Sequence, residues 1–364
     1  MLVALLAASC SDGDDGPDAM PSDSGVEDSG FEDTGVMRVD TGVVPDSGND
    51  AGFADPNTLV QGIEDIAMTR TYVHVRGTQT STLPPLIMLP TGPHQGGVSG
   101  FFGHFGGGIG HEYLPEHMDF VLPSRLMIYF DFKASGRSGF GSVGSATISV
   151  DVHVEQVNEV LDWAETKLSI DTSQIDIFGH GYGAGIGALY AANNPTRVNR
   201  LVLLDPMAPY IEQYADAIAT LQSRLTTSDR QRLDTFTFEP DCIGDASRCT
   251  IEIWKILAPR LGCLGNESRV NTLGFEYGEL RTFDFIRRDL TEDRFDWRPM
   301  LPLIQAETIV ISGPCDATPP EAALTYTASI SGARQEILDN TGHWPMVEDN
   351  INFQRVVKQA LRYP

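Results

Sequence analysis

Ile175-Asp176-Ile177-Phe178-Gly179-His180-Gly181-Tyr182-Gly183-Ala184-Gly185 decides how the chain is read. A short, mostly apolar strand runs into a sharp turn, and a helix of small residues follows from Gly185 to Asn193. Gly179, Gly183 and Ala184 flank the turn, which predicts that strand and helix backbones nearly touch there. Gly181 stands at its apex, where a backbone angle that strains other residues is free for glycine.

Working outward, Thr71-Tyr72-Val73-His74-Val75 alternates like a half-buried strand. Apolar runs at 85–90, 126–130, 201–204 and 308–311 have the character of central parallel strands, and Gln335-Glu336-Ile337-Leu338 fits a last one. Helical patterns fall between them at Val154 to Lys167, Ile186 to Asn193 and Phe353 to Arg362. This alternation predicts an α/β fold with a doubly wound, mostly parallel sheet. Residues 210–298 break the rhythm with helical stretches (Tyr210 to Leu225, Ile251 to Leu261) and no strong strand. The expected organisation is a core of 57–209 and 299–364 carrying 210–298 as an inserted helical cap.

The glycine turn has a second reading. Gly179-x-Gly181-x-x-Ala184 follows a strand, opens a helix and precedes Asp205 at the end of the next strand, as in a dinucleotide-binding fingerprint. Strands already precede it, however, whereas such a fingerprint opens its domain. It also leaves Gly313-Pro314-Cys315-Asp316 and Gly342-His343-Trp344 unexplained.

The net charge of −25 argues against nucleic-acid binding, which needs a basic face. Residues 11–56 hold 13 Asp and Glu against the single Arg38, so the rest is only moderately acidic. That stretch repeats Asp-Ser-Gly and Asp-Thr-Gly with few large apolar residues, and is expected to be a disordered, self-repelling tether. Before it, Met1 to Ser9 is a short apolar run ending in small residues at Cys10. It resembles the end of a bacterial lipoprotein signal whose cysteine is lipidated, without the basic region that usually opens one. The expectation is a chain anchored through Cys10 in the bacterial cell envelope, meeting a membrane only through its lipid. Cys242, Cys249, Cys263 and Cys315 would then lie in a disulfide-permissive compartment. They allow three pairings, of which proximity favours Cys242–Cys249 with Cys263–Cys315; four buried thiols are the alternative.

Four motifs in order across residues 84–364 resemble the α/β-hydrolase superfamily, in particular its proline iminopeptidase-like serine hydrolases. Pro90-Thr91-Gly92-Pro93-His94 stands where that family has H-G-G-P-G, and Asp131 to Ser138 where it has D-Q-R-G-S-G-R-S. The glycine turn stands where it has the nucleophile elbow G-x-S-x-G, and Asp316 and His343 follow in the family's order of nucleophile, acid and base. The resemblance implies that Asp316 orients His343, that His343 serves as base and then acid, and that position 181 holds the nucleophile. It also implies an oxyanion hole from the backbone N–H groups of Tyr182 and of Thr91 or Gly92. Pro93 has no N–H to give.

Gly181 offers no nucleophile, and Pro90, Thr91 and His94 alter the oxyanion loop. The glycine-rich stretch from Gly96 to Gly110 lacks the lysine of a phosphate loop, and His94, His104 and His111 are not spaced as zinc ligands. No metal and no cofactor are expected. The resulting expectation is a hydrolase-fold protein inactive as a serine hydrolase, holding a small-molecule or peptide ligand in a capped pocket. A hydrolase in which His343 activates water directly, and a dinucleotide binder, are the alternatives. A Gly181→Ser change is expected to restore reactivity; no motif sets an oligomeric state.

Overall fold

The apolar runs become strands where proline and glycine let them. β3 (Leu86–Leu89) is four buried residues held between Pro85 and Pro90, neither of which can donate to a ladder. The computed structural model describes residues 57–78, 81–92, 110–139, 148–238, 246–274, 282–292 and 294–362. Cys10, the 11–56 stretch, Pro93, His94, His104, Cys242 and the side chain of Cys249 lie outside the described residues, so the Cys242–Cys249 pairing does too.

The other strands are β1 (Thr58–Ile66), β2 (Thr69–Gly77), β4 (Leu126–Phe130), β5 (Ile175–His180), β6 (Val198–Leu204), β7 (Glu307–Ser312) and β8 (Arg334–Ile337). All eight form one sheet in the order β1-β2-β4-β3-β5-β6-β7-β8. β1 pairs antiparallel with β2, and β2 antiparallel with β4; every other pairing is parallel. β3 lies between β4 and β5, so the chain leaves the β3/β5 pair in opposite directions, and sheets of this kind hold ligands at the carboxyl ends of such strands.

Two buried apolar clusters cover the two faces of the sheet. In one, α1 (Val150–Leu168) packs beside α2 (Tyr182–Asn193). Ser149 caps α1 by accepting from the Val152 N–H, and Ser169 ends it in a left-handed conformation. α2 is buried along almost its whole length, which its Gly-Ala-Gly-Ile-Gly-Ala sequence permits because a bulkier face could not approach β3 and β5. The helix begins at Tyr182, directly on the turn, rather than at Gly185 as the sequence suggested.

Between β6 and β7 the described chain is helical: α3 (Ile211–Arg224), α4 (Thr227–Phe238), α5 (Ala246–Leu261) and α6 (Thr282–Glu292). α7 (Pro320–Ser329) follows β7, and α8 (Asn350–Ala360) ends the fold. No described helix is long and apolar enough to cross a membrane.

Candidate active site

At the carboxyl end of β5 the chain reverses on Gly181, at φ +55° and ψ −115°. That conformation is costly for any residue with a Cβ. The turn is held by contacts that only glycine permits. A Cβ on Gly179 would meet the Gly183 carbonyl oxygen at 2.5 Å, and one on Gly183 would meet the Pro90 carbonyl oxygen at 2.4 Å.

Asp316 and His343 arrive from loops after β7 and β8, and the fold brings both to this turn. His343 Nδ1 lies 2.9 Å from Asp316 Oδ2, so Nδ1 carries the proton and Nε2 is left as the acceptor. A Cβ built on Gly181 would stand 3.1 Å from His343 Nε2. His343 Nε2 is therefore aimed at position 181, which holds no hydroxyl, thiol or carboxylate. Thr91 Oγ1 is there instead, 2.9 Å from Nε2, with its hydroxyl donating to the imidazole. It lies 2.2 Å from where that Cβ would be. A Gly181→Ser change thus brings two groups to one place, so the expected recovery from that change alone meets an obstacle in Thr91.

Of the three N–H groups expected at an oxyanion hole, two have partners within the protein. The Thr91 N–H donates to the Tyr113 hydroxyl at 2.7 Å, and the Tyr182 N–H to the Thr91 carbonyl at 3.2 Å. Gly92, at φ +68°, lies against the Tyr182 ring, where a Cβ would meet Cδ1 at 2.4 Å.

Three residues of this cluster escaped the sequence reading. His180, the unspecified residue of the elbow pattern, stacks on His343 with ring centroids 4.5 Å apart. Its Nε2 lies 2.8 Å from the His343 carbonyl, which only accepts, so Nε2 carries the proton. Its Nδ1 accepts from the Tyr113 hydroxyl at 2.8 Å. Burial, and secondarily the nearby His343, hold the His180 pKa well below the usual histidine range, so it stays neutral. Thr91, Tyr113, His180 and His343 thereby close a ring of hydrogen bonds. The third is Glu348, a buried carboxylate that accepts from the N–H groups of Cys263 (2.7 Å), Gly342 (2.8 Å) and Trp344 (3.1 Å). It joins the end of α5 to the histidine loop. Cys263 and Cys315 are disulfide-bonded, with Cα atoms 4.9 Å apart, immediately before Asp316.

The Asp131 to Ser138 motif closes on itself. Asp131 accepts from the His111 N–H and ring and from the Arg137 N–H, within a knot that Gly110 and Gly136 press against. Among the described residues no group of three His, Cys, Asp or Glu could hold a metal. The dinucleotide reading also meets an obstacle at the start of α2. The N–H groups of Tyr182, Gly183 and Ala184, which would receive a pyrophosphate, donate to Thr91, Pro90 and Gly181.

Beside this cluster Asp205, ending β6, accepts from the Gly313 N–H at 2.7 Å while its other oxygen is buried without a partner. Burial first, and then the charge of Asp316, raise its pKa well above the carboxylate range. A raised folded pKa gives stability that is complete below about pH 4 and is lost as pH rises through the folded value. Asp205→Asn removes that loss, so its melting temperature relative to wild type is expected to climb from pH 4 to pH 8. Calorimetry at both ends checks this; a difference that falls with pH would refute the assignment.

A sheet of this order, a strained glycine turn and a hydrogen-bonded Asp–His pair from the last two strand ends define a hydrolase-type scaffold. The chain belongs to the alpha/beta hydrolase family, whose sequence profile it matches over residues 98–353. It is 25% identical over 251 residues to 2-hydroxymuconate semialdehyde hydrolase of a Pseudomonas species, covering 68% of this chain and 79% of that one. It is 23% identical over 247 residues to a 2-hydroxy-6-oxononadienedioate/2-hydroxy-6-oxononatrienedioate hydrolase of Escherichia coli, covering 65% and 77%. Similar solved structures include VinJ, at TM-score 0.58 and 19% identity over 84% of this chain and 99% of that one. The proline iminopeptidase of Mycobacterium smegmatis aligns at TM-score 0.54 and 17% identity, covering 83% and 98%.

Proposed function

We propose that this chain is a lipid-anchored protein of the bacterial cell envelope that binds a small-molecule or peptide ligand over a serine-hydrolase site without its nucleophile. The observation that carries the reading is the pairing of Gly181 with an intact Asp316–His343 couple aimed at it. Loss of the nucleophile alone lowers turnover by about 10⁶-fold in a triad enzyme. The Tyr182 and Thr91 N–H groups, two of the three donors that could sustain residual catalysis, are engaged elsewhere. Direct activation of water by His343 is disfavoured because Thr91 Oγ1 occupies the place at Nε2 that the water needs. The Cys263–Cys315 disulfide suits an oxidising compartment, in keeping with export.

The test uses the purified full chain with a fluorophosphonate probe, N-terminal-proline amides, simple esters and 2-hydroxymuconate semialdehyde. No covalent labelling and no turnover above buffer are expected. Turnover that His343→Ala abolishes would overturn the reading. Anchoring is checked separately by mass spectrometry, which should find a diacyl- or triacyl-cysteine at Cys10; an intact, unmodified Met1 terminus would refute it.

A further inference from the structure

Thr91 meets its surroundings with three different atoms, and each contact takes away one part of a hydrolase site. Its Oγ1 occupies the serine's place, donating to His343 Nε2 at 2.9 Å and lying 2.2 Å from where a Cβ on residue 181 would stand. Its carbonyl takes up the Tyr182 N–H at 3.2 Å. Its own N–H is fixed on the Tyr113 hydroxyl at 2.7 Å. Tyr113 is in turn held by His180, and His180 by the backbone of His343. Thr91 is fully buried, so nothing in solvent competes for these bonds.

We infer that Thr91 is the residue that holds this site silent, and that the scaffold beneath it is a latent serine hydrolase two substitutions away from activity. The inference rests on the proposed function above and deepens it. The elbow keeps its strained φ and ψ, and the base keeps its orienting acid. What differs is the occupant of the serine's place and the partners of two backbone donors, and Thr91 accounts for all three. A β-branched side chain presents one of three groups to residue 181: Oγ1, Cγ2 or Hβ. Only the last leaves room for a serine, and it withdraws the hydroxyl from His343. Thr91→Gly removes the obstruction and frees the 91–92 peptide to rotate, releasing the Tyr182 N–H toward a developing oxyanion. In the double variant the hydroxyl introduced at 181 would attack an acyl or phosphonyl centre. Its proton would pass to His343 Nε2 and then to the departing alcohol or fluoride, leaving the acyl or phosphonyl group on residue 181.

The experiment compares five full-length forms: wild type, Gly181→Ser, Thr91→Gly, Thr91→Gly with Gly181→Ser, and Thr91→Ala with Gly181→Ser. The last relieves the clash while keeping a stiffer backbone, in case the glycine variant folds poorly. Each is treated with a fluorophosphonate probe and with p-nitrophenyl acetate, the adduct is located by peptide mass spectrometry, and folding is followed by circular dichroism. At least one double variant is expected to label at position 181 at least 10-fold faster than Gly181→Ser alone, and adding His343→Ala should abolish that labelling. Equal labelling of Gly181→Ser alone would overturn the role of Thr91 while leaving the proposed function standing. Folded but unlabelled doubles would do the same, as would failure of both doubles to fold. Labelling of wild type at Thr91 itself would overturn both, since the threonine would then be the nucleophile.

Discussion

Gly183→Ala should destabilise the domain by about 3–5 kcal/mol, against the ordinary expectation that alanine strengthens a helix by about 1 kcal/mol over glycine. The reversal comes from where the helix is seated. A Cβ on Gly183 would stand 2.4 Å from the Pro90 carbonyl oxygen, 2.5 Å from that of Leu89 and 2.6 Å from the Leu89 carbonyl carbon. All three are backbone atoms at the end of a central strand and cannot swing aside. α2 must lift from β3 instead, breaking the Gly183 N–H to Pro90 bond of 3.1 Å and opening the packing around Tyr182, Ala184 and Ile186. For a domain of this size the melting temperature should fall by roughly 6–10 °C. A variant that melts at or above wild type would mean that the helix does not sit this close.

The second large effect concerns the covalent bridge. Replacing both Cys263 and Cys315 by serine releases a loop closed over a separation of 52 residues. On chain-entropy grounds this lowers stability by about 4 kcal/mol. The loss should be felt at the site, because Cys315 precedes Asp316 and its N–H is bonded to the Thr341 carbonyl. Arg224 reinforces the same corner by donating to the carbonyls of Cys315 (2.7 Å) and Asp316 (3.0 Å). Urea unfolding of the double serine variant gives the stability change, and amide exchange at Asp316 reports the local loosening. A loss below about 1 kcal/mol would show that the loop is already confined by other means.

The fold was legible where burial on both faces forces continuous apolar runs, as at Leu86–Leu89, Leu126–Phe130 and 201–204. β1 was not, because Gln61, Glu64 and Asp65 interrupt it; it is an edge strand whose burial merely alternates. α4 escaped for a related reason, as Thr227 to Asp234 is polar with scarcely an apolar stripe. Of the site, the convergence of Gly181, Asp316 and His343 could be read because chain order and flanking residues announce it. Tyr113 and His180 could not, since their partners are 67 and 163 residues away in sequence, nor could the bond from Cys263 to Glu348, 85 residues apart. Thr91 is the instructive case. It was visible as a departure from the oxyanion pattern and was expected to offer its N–H, yet its hydroxyl is what faces the base.

Glu348 and the disulfide together have a mechanical consequence. The end of α5, the turn at Cys263 and the loop of Gly342 to Trp344 share one buried carboxylate, and Trp344 Nε1 and the His343 N–H also donate to the Ala258 and Leu261 carbonyls. That corner has the bonding of a rivet rather than of a hinge, because parting α5 from the histidine loop would strip a buried carboxylate of its donors. Movement at this end of the sheet would therefore meet least resistance in elements outside the riveted corner.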